Sequence, residues 1–266
     1  MIGRLHADEG GITPVLGAAL VLGIIILTLS AFLAIWIPGE TNRREREHMS
    51  GVEGSFRELR TDIESLKVGE SKSVHVKMSP EPIPFVSNPG TGGTLSVLPS
   101  TGENYGVIRF SLGDQRLVYE SGMIILVQDN VDLMESAPRV VTVTEVGDKL
   151  EVHVDNIKVR GLESSVSGTG TSTVMVSVYK ENLGPRTFKE NVVIQINENT
   201  IYKRAWKDYL RGLYEEFYEK GYNPYGSVTE ITENNLRLTI LGNNIGSGYN
   251  DIILYEDVTE IWVSIS

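Results

Sequence analysis

The sequence predicts an α+β protein. An N-terminal transmembrane or assembly helix continues into a stalk helix, and an antiparallel β-sandwich-like domain with one inserted amphipathic helix follows. Three observations predict this. Residues 10–39 contain no charged side chain. Met49, Val52, Phe56, Leu59, Ile63 and Leu66 then recur at spacings of three and four, which places them on one helical face. From Ser71 the apolar period drops to two, the pattern of strands with one buried face. The boundaries are therefore a leader over 1–11, an apolar helix over 12–38, a helical stalk over 39–70 and a β-rich domain over 71–266.

The apolar segment runs from Ile12 to Ile37, ITPVLGAALVLGIIILTLSAFLAIWI. As a helix it spans about 39 Å at about 1.5 Å per residue. A bilayer core of about 30 Å is crossed by about 20 residues, so the segment is long enough to span with tilt or overhang. Pro14 falls in the first turn, where its missing N–H costs nothing. Pro38-Gly39 closes the apolar run, and Trp36 stands near its end, where an amphipathic ring suits a membrane interface. A removable secretory signal has a basic start, a shorter apolar stretch and a small-residue cleavage site. Here Asp8 and Glu9 follow Arg4, the run is too long, and Ile-Trp-Ile-Pro-Gly is a poor cleavage site, so the helix reads as retained. Counting Lys and Arg alone, Arg43, Arg44 and Arg46 against Arg4 put the C-terminal side in the cytoplasm.

The junction itself reads Asp8-Glu9-Gly10-Gly11, then Ile12-Thr13-Pro14-Val15-Leu16-Gly17, then the apolar run. This resembles the N-terminus of archaeal type IV pilin-like proteins, whose class III signal combines a short polar leader, a glycine before the cut and a segment such as (Val/Ile)-(Ser/Thr)-Pro-Val-(Ile/Leu)-Gly. The resemblance covers residues 8 to about 37. It implies cleavage between Gly11 and Ile12 by a prepilin peptidase on the cytoplasmic face, retention of the helix that begins with Ile12, Pro14 and Gly17 and ends at Trp36 and Ile37, and an extracellular remainder. That topology is opposite to the one from the arginine count. Bacterial pilins usually carry Glu as the fifth residue after the cut; Leu16 stands there, as is common in archaeal members. The partners implied are the lipid bilayer, the prepilin peptidase and other pilin-like subunits.

In the stalk, Glu53, Arg57, Glu58, Arg60, Asp62 and Glu64 read as the solvated face, with Glu53 and Arg57 spaced for an ion pair. The apolar stripe packs on the domain's own sheet in one reading and in a short coiled coil in the other; fewer than three heptads favour the sheet. Gly51 and Gly54 weaken the helix, and with Pro38-Gly39 they predict a bend or break before Val52. Gly69 is the expected C-cap.

Alternation predicts strands around Val74–Met78, Ile108–Leu112, Leu150–Val154, Val174–Val178, Val192–Ile196, Leu236–Ile240 and Ile261–Ile265. Gly90-Thr91-Gly92-Gly93, Gly113-Asp114, Gly147-Asp148 and Gly242-Asn243-Asn244 supply turns. Pro80–Pro99, with its five prolines, reads as a loop-rich connection, and Ser164–Thr173 as a hairpin tip or mobile loop. One helix interrupts the strands. Asn199 or Thr200 is its expected cap and Gly221 its end, and Trp206, Leu210, Leu213 and Phe217 form its buried stripe. Two stretches are loosely similar to segments of larger archaeal pilin-like surface proteins: Leu117-Val118-Tyr119-Glu120-Ser121-Gly122 and Ile201–Tyr209 with its Ala205-Trp206 pair.

Little in the sequence points to catalysis. With no cysteine, disulfides, thiolate metal sites and cysteine nucleophiles are excluded. A net charge of −11 argues against a nucleic-acid partner. His6, His48, His75 and His153 lack metal-ligand spacing and read as exposed or edge histidines. Asp129-Asn130-Val131-Asp132 is a turn rather than a calcium loop, and Asp251, Glu256 and Asp257 hold a cation only if the fold converges them. The expectation is a non-enzymatic surface subunit with no cofactor and no metal. The competing reading is an anchored binder of a glycan or surface-layer partner, which exposed Tyr214, Tyr222 or Tyr225 would favour.

Overall fold

A computed structural model describes residues 12–83, 92–102, 104–147, 149–184, 186–189, 191–196, 200–221, 224–225, 236–241 and 251–266. The chain is α+β, with a long N-terminal helix and a β-rich body. Helix α1 runs Ile12–Ser65 without interruption, 54 residues, or about 80 Å at about 1.5 Å per residue. Of the bend or break expected before Val52 from Pro38-Gly39, Gly51 and Gly54, the break does not occur. Two local features explain this. Glu40, in the turn after Pro38, bonds both Arg43 and Arg44 at 2.7 Å, which reinforces the turn that proline weakens. Beyond Gly51 and Gly54 the helix is held by tertiary burial, which outweighs intrinsic propensity. The helix ends at Ser65, before Gly69; that glycine, at φ +88°, instead donates its N–H to the Val178 carbonyl and turns the chain into the first strand.

The strands form three sheets. Sheet A takes β1 (Ser71–Lys77), β10 (Thr171–Asn182), β15 (Asp251–Ile265), β8 (Lys149–Arg160) and β7 (Val141–Val146), with β11 (Thr187–Lys189) also paired to β15. Sheet B is β6 (Val131–Ser136), β5 (Met123–Gln128), β4 (Gln115–Glu120), β3 (Val107–Leu112), β2 (Gly93–Leu98) and β9 (Ser164–Gly168). Sheet C is β12 (Asn191–Ile196), β14 (Leu236–Leu241) and β13 (Pro224–Tyr225). Each of the seven alternating segments is a strand or, at Met78, abuts one. Two loop expectations are corrected. Residues 93–98 of the Pro80–Pro99 stretch are the interior strand β2, nearly buried on both faces, and Ser164–Gly168 is the strand β9 that pairs with it. The sheets are not wholly antiparallel, because β8 and β15 run parallel over twelve residue pairs from Lys149↔Asp251 to Arg160↔Trp262.

Gly113 sits in the β3–β4 turn at φ +56°, and the Asp129-Asn130 pair makes the β5–β6 turn with both residues at positive φ. Gly93 has no room for a side chain: a Cβ there would stand 2.5 Å from the Phe110 ring and 2.6 Å from the Met78 carbonyl. The glycine turn at 90–91 and the one at 242–244 lie outside the described residues.

Two cores lie on opposite faces of sheet B. The first joins the lower half of α1 (Met49, Val52, Phe56, Leu59, Ile63) to Val74, Val176 and Val263 of sheet A and Leu95, Phe110 and Tyr119 of sheet B. The second joins α2 (Lys203–Glu219) to Val118, Met123 and Ile125 of sheet B, Ile194 and Leu238 of sheet C, and Val152 and Ile252 of sheet A. Tyr119 thus faces the first core while its neighbour Val118 faces the second, as strand geometry requires. The long strands β8 and β15 serve both: Leu150, Val152, Ile252 and Leu254 enter the second core, whereas Val159, Ile261 and Val263 enter the first.

Candidate functional site

The candidate site is α1, whose two halves face different surroundings. From Leu16 to Trp36 the large apolar side chains are mostly exposed, with Leu27 at 71% and Ile35 at 80%. This half is long and apolar enough to cross a membrane, and none of its most apolar window is buried by the protein. A Cβ at Gly17 or Gly23 would meet nothing within 4 Å. Trp36 stacks against Phe32 at 6.4 Å, near the end of the apolar run. Ile37 is half-buried. Ile12 and Pro14 lie in the helical backbone; their side chains, and Gly11 altogether, lie outside the described residues.

Past Pro38 the helix becomes part of the domain. Met49, Val52, Phe56, Leu59 and Ile63 are all buried, on the sheet as expected. Each such side chain contributes about 1.5–3 kcal/mol by leaving water. Ion pairs decorate the other face, Arg57 with Glu53 at 2.5 Å and Arg60 with Glu64 at 2.6 Å. Arg60 is not simply solvated, since it also bonds Ser136 of β6 and so ties α1 to sheet B. Arg44 reaches the carbonyls of Glu81 and Pro82, fixing the helix to the chain leaving β1. The guanidinium of Arg43, and then that of Arg44, holds the Glu40 carboxyl down at about 2.

A cleft of about 550 Å³ opens beside this junction, lined by Arg43, Arg44, Glu47, Gly51, Lys77 and Glu81 among others. His48 lines it too and corrects an expectation. It is buried rather than exposed, tilted against Phe110 at 5.9 Å, and its Nε2 has no hydrogen-bond partner among the described residues. Burial first, and the Lys77 charge second, push its pKa down.

His75 is exposed and pairs with the Thr173 hydroxyl at 3.1 Å. His153 is half-buried and stacks on Tyr255 at 4.3 Å. Asp257 accepts the Gly184 N–H at 2.9 Å, whereas the adjacent Glu256 is exposed on the other strand face; the Asp251 side chain lies outside the described residues. Among the described residues, no group of three or more His, Asp or Glu is placed to hold a metal ion. A second cleft of about 490 Å³ contains Glu64, Arg139, His153, Asp155, Glu181 and Asp257. The Asp155 pKa is raised there, by burial first and by Asp257 next.

One arrangement could not be read from the sequence. The two separate stretches 117–122 and 201–209 meet: Trp206 Nε1 donates to Glu120 Oε2 at 2.7 Å, and the Thr200 hydroxyl donates to the same oxygen at 2.9 Å. Thr200 does not cap α2 as expected. Its hydroxyl accepts the Tyr202 N–H at 3.1 Å, while Asp132 of β6 caps the helix by accepting the Ala205 N–H at 2.9 Å. Asn199 lies outside the described residues. At the other end Gly221, at φ +77°, terminates the helix as expected. The α2 stripe is core: Trp206, Leu210, Leu213 and Phe217 are buried. Tyr214 is half-buried and stacks on the exposed Tyr218; the side chains of Tyr222 and Tyr225 lie outside the described residues.

The fold and this helix define a class, a β-rich protein with a single N-terminal apolar helix compatible with a single-pass membrane anchor. The chain belongs to the family of unknown function DUF7289, which it matches over residues 11–241, from the start of the apolar helix through most of the β-rich body. No curated protein and no solved structure matches it.

Proposed function

We propose that this chain is a pilin-like cell-surface subunit with a structural rather than enzymatic role. The precursor is held in the bilayer by Ile12–Ile37 and cut between Gly11 and Ile12 by a prepilin peptidase. The β-rich domain then stands outside the cell, and the helix can bundle with those of other pilin-like subunits, as a minor component of a type IV pilus-like filament.

The supporting observation is the division of one continuous helix: Leu16–Trp36 is exposed and apolar, while Met49–Ile63 is built into the domain core. Because the helix is continuous from the exposed half into the core, packing of the exposed half constrains the domain attached to it. The exposed half buries its apolar surface in lipid before assembly and against neighbouring helices after it.

The test is a bulky replacement, Gly11→Phe, in the native host. Retained precursor and loss of surface filaments are expected. Normal processing and normal filaments with Gly11→Phe would overturn the proposal. The competing reading, an anchored protein that never polymerises and binds a glycan or surface-layer partner, is favoured by the exposed Tyr218 beside Tyr214. That protein would be indifferent to the change at Gly11.

A further inference from the structure

The start of α2 is fastened to sheet B by two carboxylates that belong to the sheet. Asp132 takes the Ala205 N–H. Glu120, the last residue of β4, lies deeper and is only 4% exposed. Both of its hydrogen bonds, from the Trp206 indole and the Thr200 hydroxyl, land on Oε2. Both donors are neutral, and no Lys or Arg forms an ion pair with Glu120 among the described residues. A carboxylate buried without a cation is penalised for its lost hydration, and protonation relieves that penalty. Since both donors point at Oε2, the proton belongs on Oε1.

Charged and titratable groups from several elements act at this position. Asp132 of β6 repels the ionised form of Glu120. Arg109 of β3 and Arg116 of β4 act on Tyr202, just ahead of α2, which also senses Glu120. Tyr105 lies against Trp206 at 5.7 Å. Burial pushes the Glu120 carboxyl up to about 7, against the pull of the two hydrogen bonds and with help from Asp132.

We propose that Glu120 is a proton-operated latch: protonated, it clamps the first turn of α2 onto sheet B, and ionised, it releases that turn from the second core. The sign follows from the raised pKa. The docked state binds the proton more tightly than the released state, so docking is firmest below the ordinary carboxyl range and weakens as pH rises through neutrality. The latch joins residues 117–122 to residues 201–209 and does not depend on whether the chain is processed or polymerises.

The test is amide hydrogen exchange on the full chain in detergent micelles, read by mass spectrometry over residues 200–210 and corrected for the intrinsic exchange rate. Between about pH 5 and about pH 8.5, protection of the first turn of α2 is expected to fall roughly 10²-fold in the natural chain. Glu120→Gln keeps an acceptor without the charge, so its protection is expected to stay flat across that range. A flat profile in the natural chain, or the same fall in Glu120→Gln, would overturn the proposal. A second measurement stands even if the variant folds poorly. Infrared difference spectra of the natural chain should show a buried protonated carboxyl that disappears across the same pH range, and absence of that band overturns the latch as well.

Discussion

Replacing Phe56 with Ala removes a fully buried ring from the middle of the face that joins α1 to the first core. The ring belongs to the core that joins α1 to sheets A and B, so its loss leaves a cavity there. Truncations of this kind cost about 3–5 kcal/mol. Against a total stability of about 5–15 kcal/mol this is a large fraction. At about 2–4 °C per kcal/mol for a domain of this size, the melting temperature should drop by about 6–20 °C. The assay is near-ultraviolet circular dichroism of the full chain in micelles. Phe32→Ala, on the exposed half of the same helix at 60% exposure, is the matched control. It should leave the domain transition within about 2 °C, because no domain contact is lost. Equal shifts for the two variants, or no shift for Phe56→Ala, would refute the assignment of the lower helix to the domain core.

Two other predictions test particular contacts. His48 is buried, its Nε2 has no hydrogen-bond partner among the described residues and its pKa is depressed, so the folded state resists its protonation. Stability should therefore decline as pH falls below about 6.5, and His48→Gln should flatten that acid slope in melting experiments. Asp132→Ala removes the acceptor for the Ala205 N–H and should cost about 0.5–2 kcal/mol, read as faster hydrogen exchange in the first turn of α2, with Asp132→Asn recovering most of it.

Elements with a clean period were legible in the sequence. The stripe from Met49 to Ile63 forecast a helix on a sheet, and the alternation at Ile108, Phe110 and Leu112 forecast a strand with one buried face. What escaped lacked a period. β2 is nearly buried on both faces, so its Gly-Thr-Leu-Ser-Val-Leu run does not alternate, and the surrounding prolines and glycines disguised it as loop. β9 is made of small residues and owes its strand form to pairing with β2. The parallel pairing of β8 with β15 joins segments about a hundred residues apart, which local pattern does not encode. His48 fell within a charged stretch, and its packing against Phe110 is a contact between residues about sixty positions apart that local pattern does not encode. The burial of Glu120 had no local signal, because its partners Thr200 and Trp206 lie 80 and 86 residues further along the chain. The junction motif around Gly11 and Ile12 was the most specific feature of the sequence, and the cleavage proposed for it is chemistry that a fold does not encode.

Cleavage between Gly11 and Ile12 is tested by intact mass and N-terminal sequencing of the protein taken from native membranes. A mature chain that begins at Ile12 is expected. A chain that begins at Met1 or Ile2 would contradict prepilin-peptidase processing and reopen the opposite topology that the arginines at 43, 44 and 46 give by count.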